Sequence, residues 1–329
     1  MSWLITGGAG YIGAHVVRAF RAAGEEVVVL DDLSEGMRSK VPEDVPLVVA
    51  SVLDRPSVDR TLRDHAVHGV VHLAARKAVA ESVARPLHYY RENVGGLLTL
   101  LEACQAQAVR RFVYSSSASV YGAAGDVPLT EEVPTAPMSP YGATKAMGER
   151  LLTDCTHAGL LGHVVLRYFN VAGAGGRGLA DPGTANLIPL ALRASARGVR
   201  AQVFGADYPT PDGTCIRDYV HVSDLADAHL VAARAVGDGP VGRVYNVGRG
   251  EGHSVLEVLA VVGEVTGRHL EPEVVARRLG DPPRSVADVA RIHGELGWSA
   301  AHGLTDMVRS AWEARGVEGP EWTRTEPAS

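Results

Sequence analysis

Short apolar runs alternate with helical patterns through the first half of the chain. Trp3-Leu4-Ile5 precedes a glycine turn and a helical pattern from about Tyr11 to Ala23. Val27–Leu30, Leu47–Ala50, Gly69–Leu73, Arg111–Ser115 and His163–Arg167 read as further strands, rich in valine and other apolar residues. Between them lie a polar helix around Ser57–His65 and a long helix near Val94–Ala106. A loop bearing Pro128, Pro134, Pro137 and Pro140 then leads into a helix that carries Tyr141 and Lys145. Short buried strands joined by helical crossovers predict an α/β, doubly wound parallel sheet.

The pattern changes after Phe169. Residues 171–186 are rich in glycine and alanine, contain Asp181-Pro182-Gly183, and read as a loop. A helix near Asn186–Arg197 and a strand-like Gln202-Val203-Phe204 follow. Arg217–Val222 precedes a clear helix, Ser223–Val236, with Ser223 as the predicted N-cap and Asp224 and Asp227 in its first turn. Val244–Val247 reads as another strand, and helices are predicted near Val255–Thr266, Val286–Leu296 and Leu304–Ala314 before a polar, fraying terminus. There is no internal repeat, low-complexity tract or flexible linker, so the second lobe is expected to be smaller, α/β and interwoven with the first.

Composition narrows the classes. The 329 residues are 46% hydrophobic and 21% charged, an ordinary globular balance. A formal charge of −6 argues against nucleic acid or an anionic membrane surface as the main partner, so a polyanionic ligand would need local arginines. Cys104, Cys155 and Cys215 are far apart without CxxC spacing and read as free thiols in a reducing compartment. The 13 histidines are scattered; His65 and His68 have no adjoining Cys/Asp/Glu cluster and read as surface residues, so no metal site is predicted. No basic n-region, signal peptide or membrane span is visible, and a cytoplasmic location is expected.

Two motifs carry chemistry. Gly8-x-Gly10-x-x-Gly13, also readable as Gly7-x-x-Gly10-x-x-Gly13, follows a strand and opens a helix, the context of a dinucleotide fingerprint. The next strand ends in Asp31-Asp32, where a carboxylate can accept from adenosine ribose hydroxyls and would repel a 2′-phosphate. The nearest following arginine is Arg38, so NAD is expected over NADP. The second motif is Tyr141-x-x-x-Lys145, placed by Pro140 on one face of a helix's first turns. An ammonium there would move the phenol pKa down from about 10, toward the range of general acid–base catalysis.

Gly7–Gly13, Ser115-Ser116-Ser117 and Tyr141-x-x-x-Lys145 together resemble the extended short-chain dehydrogenase/reductase superfamily. Further segments resemble its UDP-glucose (galactose) 4-epimerase branch: Lys77–Val83, Ser115–Gly122, Arg167-Tyr168-Phe169-Asn170, Phe204–Thr214 and Ile216–Val222. The match runs to about Trp312, nearly the whole chain. The resemblance implies an NAD-binding Rossmann domain over residues 1–170 plus about 214–248, and a nucleotide-sugar lobe over 171–213 plus 249–320. It implies NAD-dependent C4 epimerisation of a UDP-hexose through a transient 4-keto intermediate. Tyr141 would be the acid/base on the 4-hydroxyl, Ser117 would hydrogen-bond the same oxygen, and Lys145 would contact the nicotinamide ribose and depress the tyrosine pKa. Gly7, Gly10, Tyr11, Ile12, Gly13, Asp31, Asp32 and Leu33 would hold NAD, together with Ser51, Val52, Leu73, Ala74, Ala75 and Lys77. Asn93, Ser115 and Tyr168 would complete that channel. Asn170, Asn186, Leu187, Gln202, Phe204, Arg217, Tyr219, Arg278 and Asp281 would hold the UDP part, with Lys77 also near substrate; Arg217 and Arg278 are the cations a diphosphate needs.

Some positions depart from the family pattern. Ser51 stands where many relatives have an aspartate beside adenine, and Asp32 replaces a frequent asparagine. Ser285 occupies the position that gates the sugar pocket; its small volume implies tolerance of UDP-GlcNAc and UDP-GalNAc unless Arg284 refills the space. Ser117-Ala118-Ser119 lacks the Asp-Glu pair that a 4,6-dehydratase uses. Epimerases of UDP-glucuronate, UDP-pentoses or dTDP-glucose are the nearest alternatives, and a non-catalytic NAD-binding partner protein is a more remote one. A homodimer is implied by the family, through helices near 92–107 and 142–158.

Overall fold

In the computed structural model, which describes residues 1–123, 128–183, 186–278 and 281–315, the first half folds as the periodicity predicts. Strand β1 (Ser2–Thr6) turns into helix α1 (Tyr11–Ala22), followed by β2 (Val27–Asp31), β3 (Leu47–Val49), α2 (Arg55–Asp64) and β4 (Val67–His72). Short helices α3 (Val79–Ala84) and α4 (Pro86–Tyr89) lead through a π-helical turn at Tyr90–Gly95 into α5 (Gly96–Ala106). Then come β5 (Arg111–Ser115), α6 (Pro140–His157) and β6 (Gly162–Tyr168).

The second half begins with β7 (Asn170–Ala172), α7 (Leu187–Arg197), β8 (Ala201–Phe204), β9 (Ile216–His221), α8 (Val222–Ala235) and β10 (Gly242–Val247). It ends with β11 (Gly252–Ser254), α9 (Val255–Thr266), β12 (Pro272–Val275), β13 (Arg284–Ser285), α10 (Ala290–Leu296) and α11 (Leu304–Glu313). The polar terminus beyond residue 315, predicted to fray, lies outside the described residues.

Seven strands form one sheet in the order β10-β6-β5-β4-β1-β2-β3, every neighbouring pair parallel. Alternation along each strand feeds two cores. Trp3, Ile5, Val27 and Val29 pack with Val16, Val17, Phe20 and Leu225 of α1 and α8, while Leu4, Val28 and Leu30 pack with Val58, Leu62, Leu97, Leu100 and Leu152 of α2, α5 and α6. Phe20 is fully buried and meets Trp3 edge-on at 5.8 Å between ring centroids. Truncating it to alanine would cost about 3–5 kcal/mol. The chain winds outward through β2 and β3, then returns to the other side of β1 with β4. Such a switch point opens a crevice at the carboxyl ends of the strands.

The second lobe has its own small sheet, β11-β9-β13 with β7 also on β9, and a two-stranded pair β12-β8. Helices α7, α9 and α11 cover it through Ile188, Leu192, Val258, Val262, Met307 and Val308. β9 belongs to this sheet, so the return to the large sheet begins with α8 and β10 rather than at residue 214. This is what interweaves the lobes.

Two local predictions are corrected. The helix expected from Val286 starts only at Ala290. Before it the backbone is claimed by tertiary partners: Ser285 pairs with Arg217, Leu129 donates to the Val286 carbonyl, and the Ala287 amide donates to Asp218. Nor is Ser223 the cap of α8. β9 runs directly into the helix, and the His221 imidazole accepts from the Ser223 amide at 3.0 Å.

Candidate active site

A cleft of about 460 Å³ lies at the switch point. Its floor is the turn after β1. A Cβ on Gly13 would sit 2.1 Å from the Gly7 carbonyl oxygen, so α1 can start this close to the strand only with glycine there. Asp31, at the carboxyl end of β2, accepts from the Ala9 and Leu33 amides at 2.9 Å each and still lines the cleft. Asp32 lines it too, 3.9 Å from Arg76.

Of the residues expected to hold a dinucleotide, Gly7, Gly10, Tyr11, Ile12, Gly13, Asp31 and Asp32 line this cleft. So do Ser51, Val52, Leu73, Ala74, Ala75, Lys77, Tyr141, Lys145 and Tyr168. Leu33, Asn93 and Ser115 do not line it. Leu33 packs against the core beneath. Asn93, in the π-helical turn, is a fastener: its amide bridges the Arg76 backbone and the Thr144 hydroxyl. Ser115 turns its hydroxyl to His229 at 2.7 Å. The cleft also includes Ser34, Glu35, Arg76, Glu92 and the Asp181-Pro182-Gly183 turn, none of them among the residues expected to hold the dinucleotide. The Asp-Pro-Gly turn in a glycine-rich loop was the available signal for the last of these.

The chemistry sits where α6 meets the serine run after β5. Ser139 caps α6 by accepting from the Gly142 amide at 3.1 Å, and Pro140 occupies its first turn. A Cβ on Gly142 would lie 2.6 Å from the Ser119 carbonyl oxygen, so glycine there lets the helix lie against the serine loop. Tyr141, Lys145 and Glu149 follow one another along one buried face. The Lys145 ammonium donates to the Ser115 carbonyl at 2.7 Å and lies 5.0 Å above the Tyr114 ring. Ser117 donates to the Ser119 hydroxyl at 3.0 Å.

Burial shapes the titration of this site. It pushes the Lys145 ammonium down to about 8, with Glu149 acting in the opposite direction. It raises the Tyr141 phenol, and a hydrogen bond from Ser117 opposes that rise. In the protein alone burial dominates and the phenol stays raised. Tyr168 is raised by burial, with the negative charge that Tyr141 would carry adding to it.

Four of the second-lobe residues lie on the small sheet, and the others lie on β8, at the start of α7 and after β12. Asn170 pairs with Tyr219, and Arg217, two residues earlier on β9, pairs with Ser285 on one side and His253 on the other. Paired and alternate residues share a face, so Asn170, Tyr219, Arg217 and Ser285 lie along one surface. Arg217 donates to the Ile216 and Pro282 carbonyls and lies 3.5 Å from Asp281. The Arg278 guanidinium stacks 3.7 Å over Phe204, while Arg277 is engaged by Asp207 and the Tyr208 ring. Asn186 precedes α7 and donates to Asp181 at 2.7 Å, and Leu187 opens the helix. Gln202 is exposed on β8. Arg284 does not refill the space beside Ser285: with Val286 it lies toward Gly252, on the opposite face of the strand.

The model of the NAD dependent epimerase/dehydratase family matches residues 3–248. The chain belongs to this family. Within it, a UDP-glucose 4-epimerase of Azospirillum brasilense is 48% identical over 317 residues, covering 94% of this chain and 91% of the relative. Among solved structures, the Stenotrophomonas maltophila UDP-glucose-4-epimerase with bound NAD and formylated UDP-arabinopyranose superposes with a TM-score of 0.92 at 40% identity, covering 95% of this chain and 97% of that one. The Bifidobacterium longum UDP-glucose 4-epimerase in complex with NAD+ and UDP gives 0.90 at 35% identity, covering 95% and 98%.

The cleft fits the cofactor of this family. Its glycine floor leaves a dinucleotide backbone room, and Asp31 keeps carboxylate oxygens at the place of an adenosine ribose. Among the described residues, no group of three or more His, Cys, Asp or Glu side chains is placed to hold a metal ion. No described helix is long and apolar enough to cross a membrane.

Proposed function

We propose that the chain interconverts UDP-glucose and UDP-galactose by NAD-dependent epimerisation at C4, with transient oxidation to a 4-keto sugar. The observation that carries this reading is that Tyr141, Lys145 and Tyr168 line the same cleft as the Gly7–Gly13 turn and Asp31. A hydroxyl presented to Tyr141 therefore meets a base and a dinucleotide site at once. NAD held by the Gly7–Gly13 turn and Asp31 would supply a hydride acceptor and donor beside Tyr141.

The chain's own residues handle the rest. Tyr141 takes the C4 hydroxyl proton and later gives it back, with Ser117 hydrogen-bonding the same oxygen. Lys145 orients the ribose next to the reacting centre and adds positive charge to the site. Burial holds the phenol high in the protein alone, so the cationic form of the cofactor would add to the charge of Lys145 in depressing it. Arg217 and Arg278 take the diphosphate, with Phe204, Asn186, Leu187, Gln202, Tyr219, Asn170 and Asp281 around the uridine and ribose.

Ser285, beside Arg217 in register and free of Arg284, supports acceptance of UDP-GlcNAc and UDP-GalNAc as well. A cytoplasmic homodimer through α5 and α6 completes the reading, supported by exposed Leu98 and Met147 on those helices. The functional test is incubation with UDP-glucose, UDP-GlcNAc, UDP-glucuronate, UDP-xylose and dTDP-glucose, with epimers resolved by chromatography. The hexose and N-acetylhexosamine pairs should interconvert fastest; preference for the uronate, pentose or dTDP sugar would reassign the substrate.

A further inference from the structure

Three consecutive serines at the end of β5 and just beyond it face three successive turns of α6. Ser117 lies close enough to Tyr141 to oppose the rise of its phenol, the Ser115 carbonyl accepts from Lys145, and the Ser116 hydroxyl donates to Glu149 at 2.5 Å. Glu149 is one turn beyond Lys145 on the same helix face, within the reach of an i,i+4 pair. It is 8% exposed and faces away from the cleft, whose lining does not include it. Its other partner is Arg167 of β6, one residue before Tyr168. Arg167 donates to both Glu149 oxygens, at 3.0 and 3.2 Å through Nε and at 2.6 Å through Nη2. The remaining Arg167 nitrogen donates to the Tyr121 hydroxyl at 3.0 Å, which donates to Asn246 at 2.7 Å.

A buried ion pair is weak evidence for a stabilising role, because its desolvation cost rivals its attraction. An apolar pair would join α6 to β6 as well. What an apolar pair could not do is grip Ser116 and place a negative charge one turn from Lys145.

We propose that Glu149 is a positioning residue for epimerisation: it sets the serine run so that Ser117 meets Tyr141, and it keeps Lys145 charged. The proposal rests on the roles of Tyr141 and Lys145 given above. The surroundings of Lys145 leave Glu149 as the counter-charge. His72 on β4 is held neutral by burial and by Lys145 itself, down to about 3. Tyr114 on β5 offers a ring face, and Tyr141 and Tyr168 are held high by burial. His229 of α8, which meets Ser115, is lowered to about 4. Arg167 is a cation beyond Glu149 and so opposes its effect only in part. Burial drives Lys145 toward neutrality, and Glu149 is the group that resists this.

The test compares Glu149→Gln with the double variant Glu149→Leu/Arg167→Met, since removing one member of a buried pair endangers folding whereas an apolar pair is tolerated. Each is purified, its NAD content and melting temperature are measured, and kcat and KM for UDP-galactose are followed from pH 6 to 10. The expected result is folded, NAD-loaded protein in at least the double variant. Its KM should stay within about 2-fold, kcat should fall by about 10-fold or more, and the alkaline limb should move down by about one pH unit. An unmoved limb with kcat near wild type would overturn the proposal. So would a loss that tracks NAD content or melting temperature alone. An inactive wild-type protein, or a fully active Tyr141→Phe, would instead overturn the reading on which the proposal stands.

Discussion

Lys145 donates to the Ser115 carbonyl at 2.7 Å and thereby ties the helix of the proposed base to the strand end that presents Ser117. The lysine is thus a structural fastener as well as a charge. Lys145→Met should reduce kcat by about 100-fold or more, in the range of an acid–base contribution, and should also speed loss of NAD. Stopped assays and cofactor release, measured together, check this; loss of turnover with unchanged NAD retention would limit the lysine to the chemistry.

Because burial brings Lys145 down to about 8, the alkaline limb of kcat is expected near that pH. Above it the ammonium loses its charge and Tyr141 loses a source of stabilisation for the phenolate. A pH–rate profile flat to pH 10 would contradict this assignment.

The dinucleotide turn is testable sterically. In Gly13→Ala the new Cβ would meet the Gly7 carbonyl oxygen at 2.1 Å, so the start of α1 must move away from β1. Backbone contacts to a pyrophosphate at the helix start are lost with it. NAD affinity should fall by about 10-fold or more, read by fluorescence titration, with NAD-saturated kcat less affected.

The folded protein should be acid-labile. His15, His163, His221 and His229 are lowered to about 4, and His72 to about 3, in each case chiefly by burial. In the unfolded chain they protonate near pH 6.5, so below that pH unfolding takes up protons. Their contribution is complete above pH 6.5 and is lost as pH falls toward 4, at about 1.4 kcal/mol per pH unit for each. Asp218, raised to about 6 by burial, has the opposite sign and offsets one of them between pH 6 and 4. Urea midpoints should therefore drop steeply from pH 6.5 to 4.5; a flat profile would show that these histidines stay accessible.

Ser285 is the lever on substrate breadth. Ser285→Tyr places a ring beside Arg217, in the register that β13 shares with β9. It should cut kcat/KM for UDP-GlcNAc by about 100-fold while leaving UDP-galactose within about 3-fold, a discrimination by pocket shape. Parallel loss on both sugars would mean that this position does not face the sugar.

What was legible in the chain was local. The glycine turn, the Asp31 strand end and the Tyr141–Lys145 spacing each announce themselves within a few residues, and the strands of the large sheet are apolar on both faces. Long-range pairings were not visible. β13 is two polar residues with no periodicity, and it exists because Arg217 and Ile216 pair with it. Asp181 reaches the cofactor cleft from far along the chain, and Asn93 was assigned to that cleft although its amide is spent on Arg76 and Thr144. The same holds for His221, which caps α8 only because β9 ends on it. The Glu149–Arg167 pairing was not visible either: Arg167 opens the Arg167–Asn170 segment with nothing to name its partner, and Glu149 looks like an ordinary helix charge until α6 is laid on β6.

The most direct test of the account is epimerisation of UDP-galactose by wild type and Tyr141→Phe, each with its NAD content measured. Wild type should reach a mixture of UDP-glucose and UDP-galactose with no stable keto product. The variant should keep NAD and lose about 1,000-fold or more in kcat, within the span of general acid–base catalysis. A variant that epimerises near the wild-type rate, or a wild type that accumulates a keto sugar, would contradict the account.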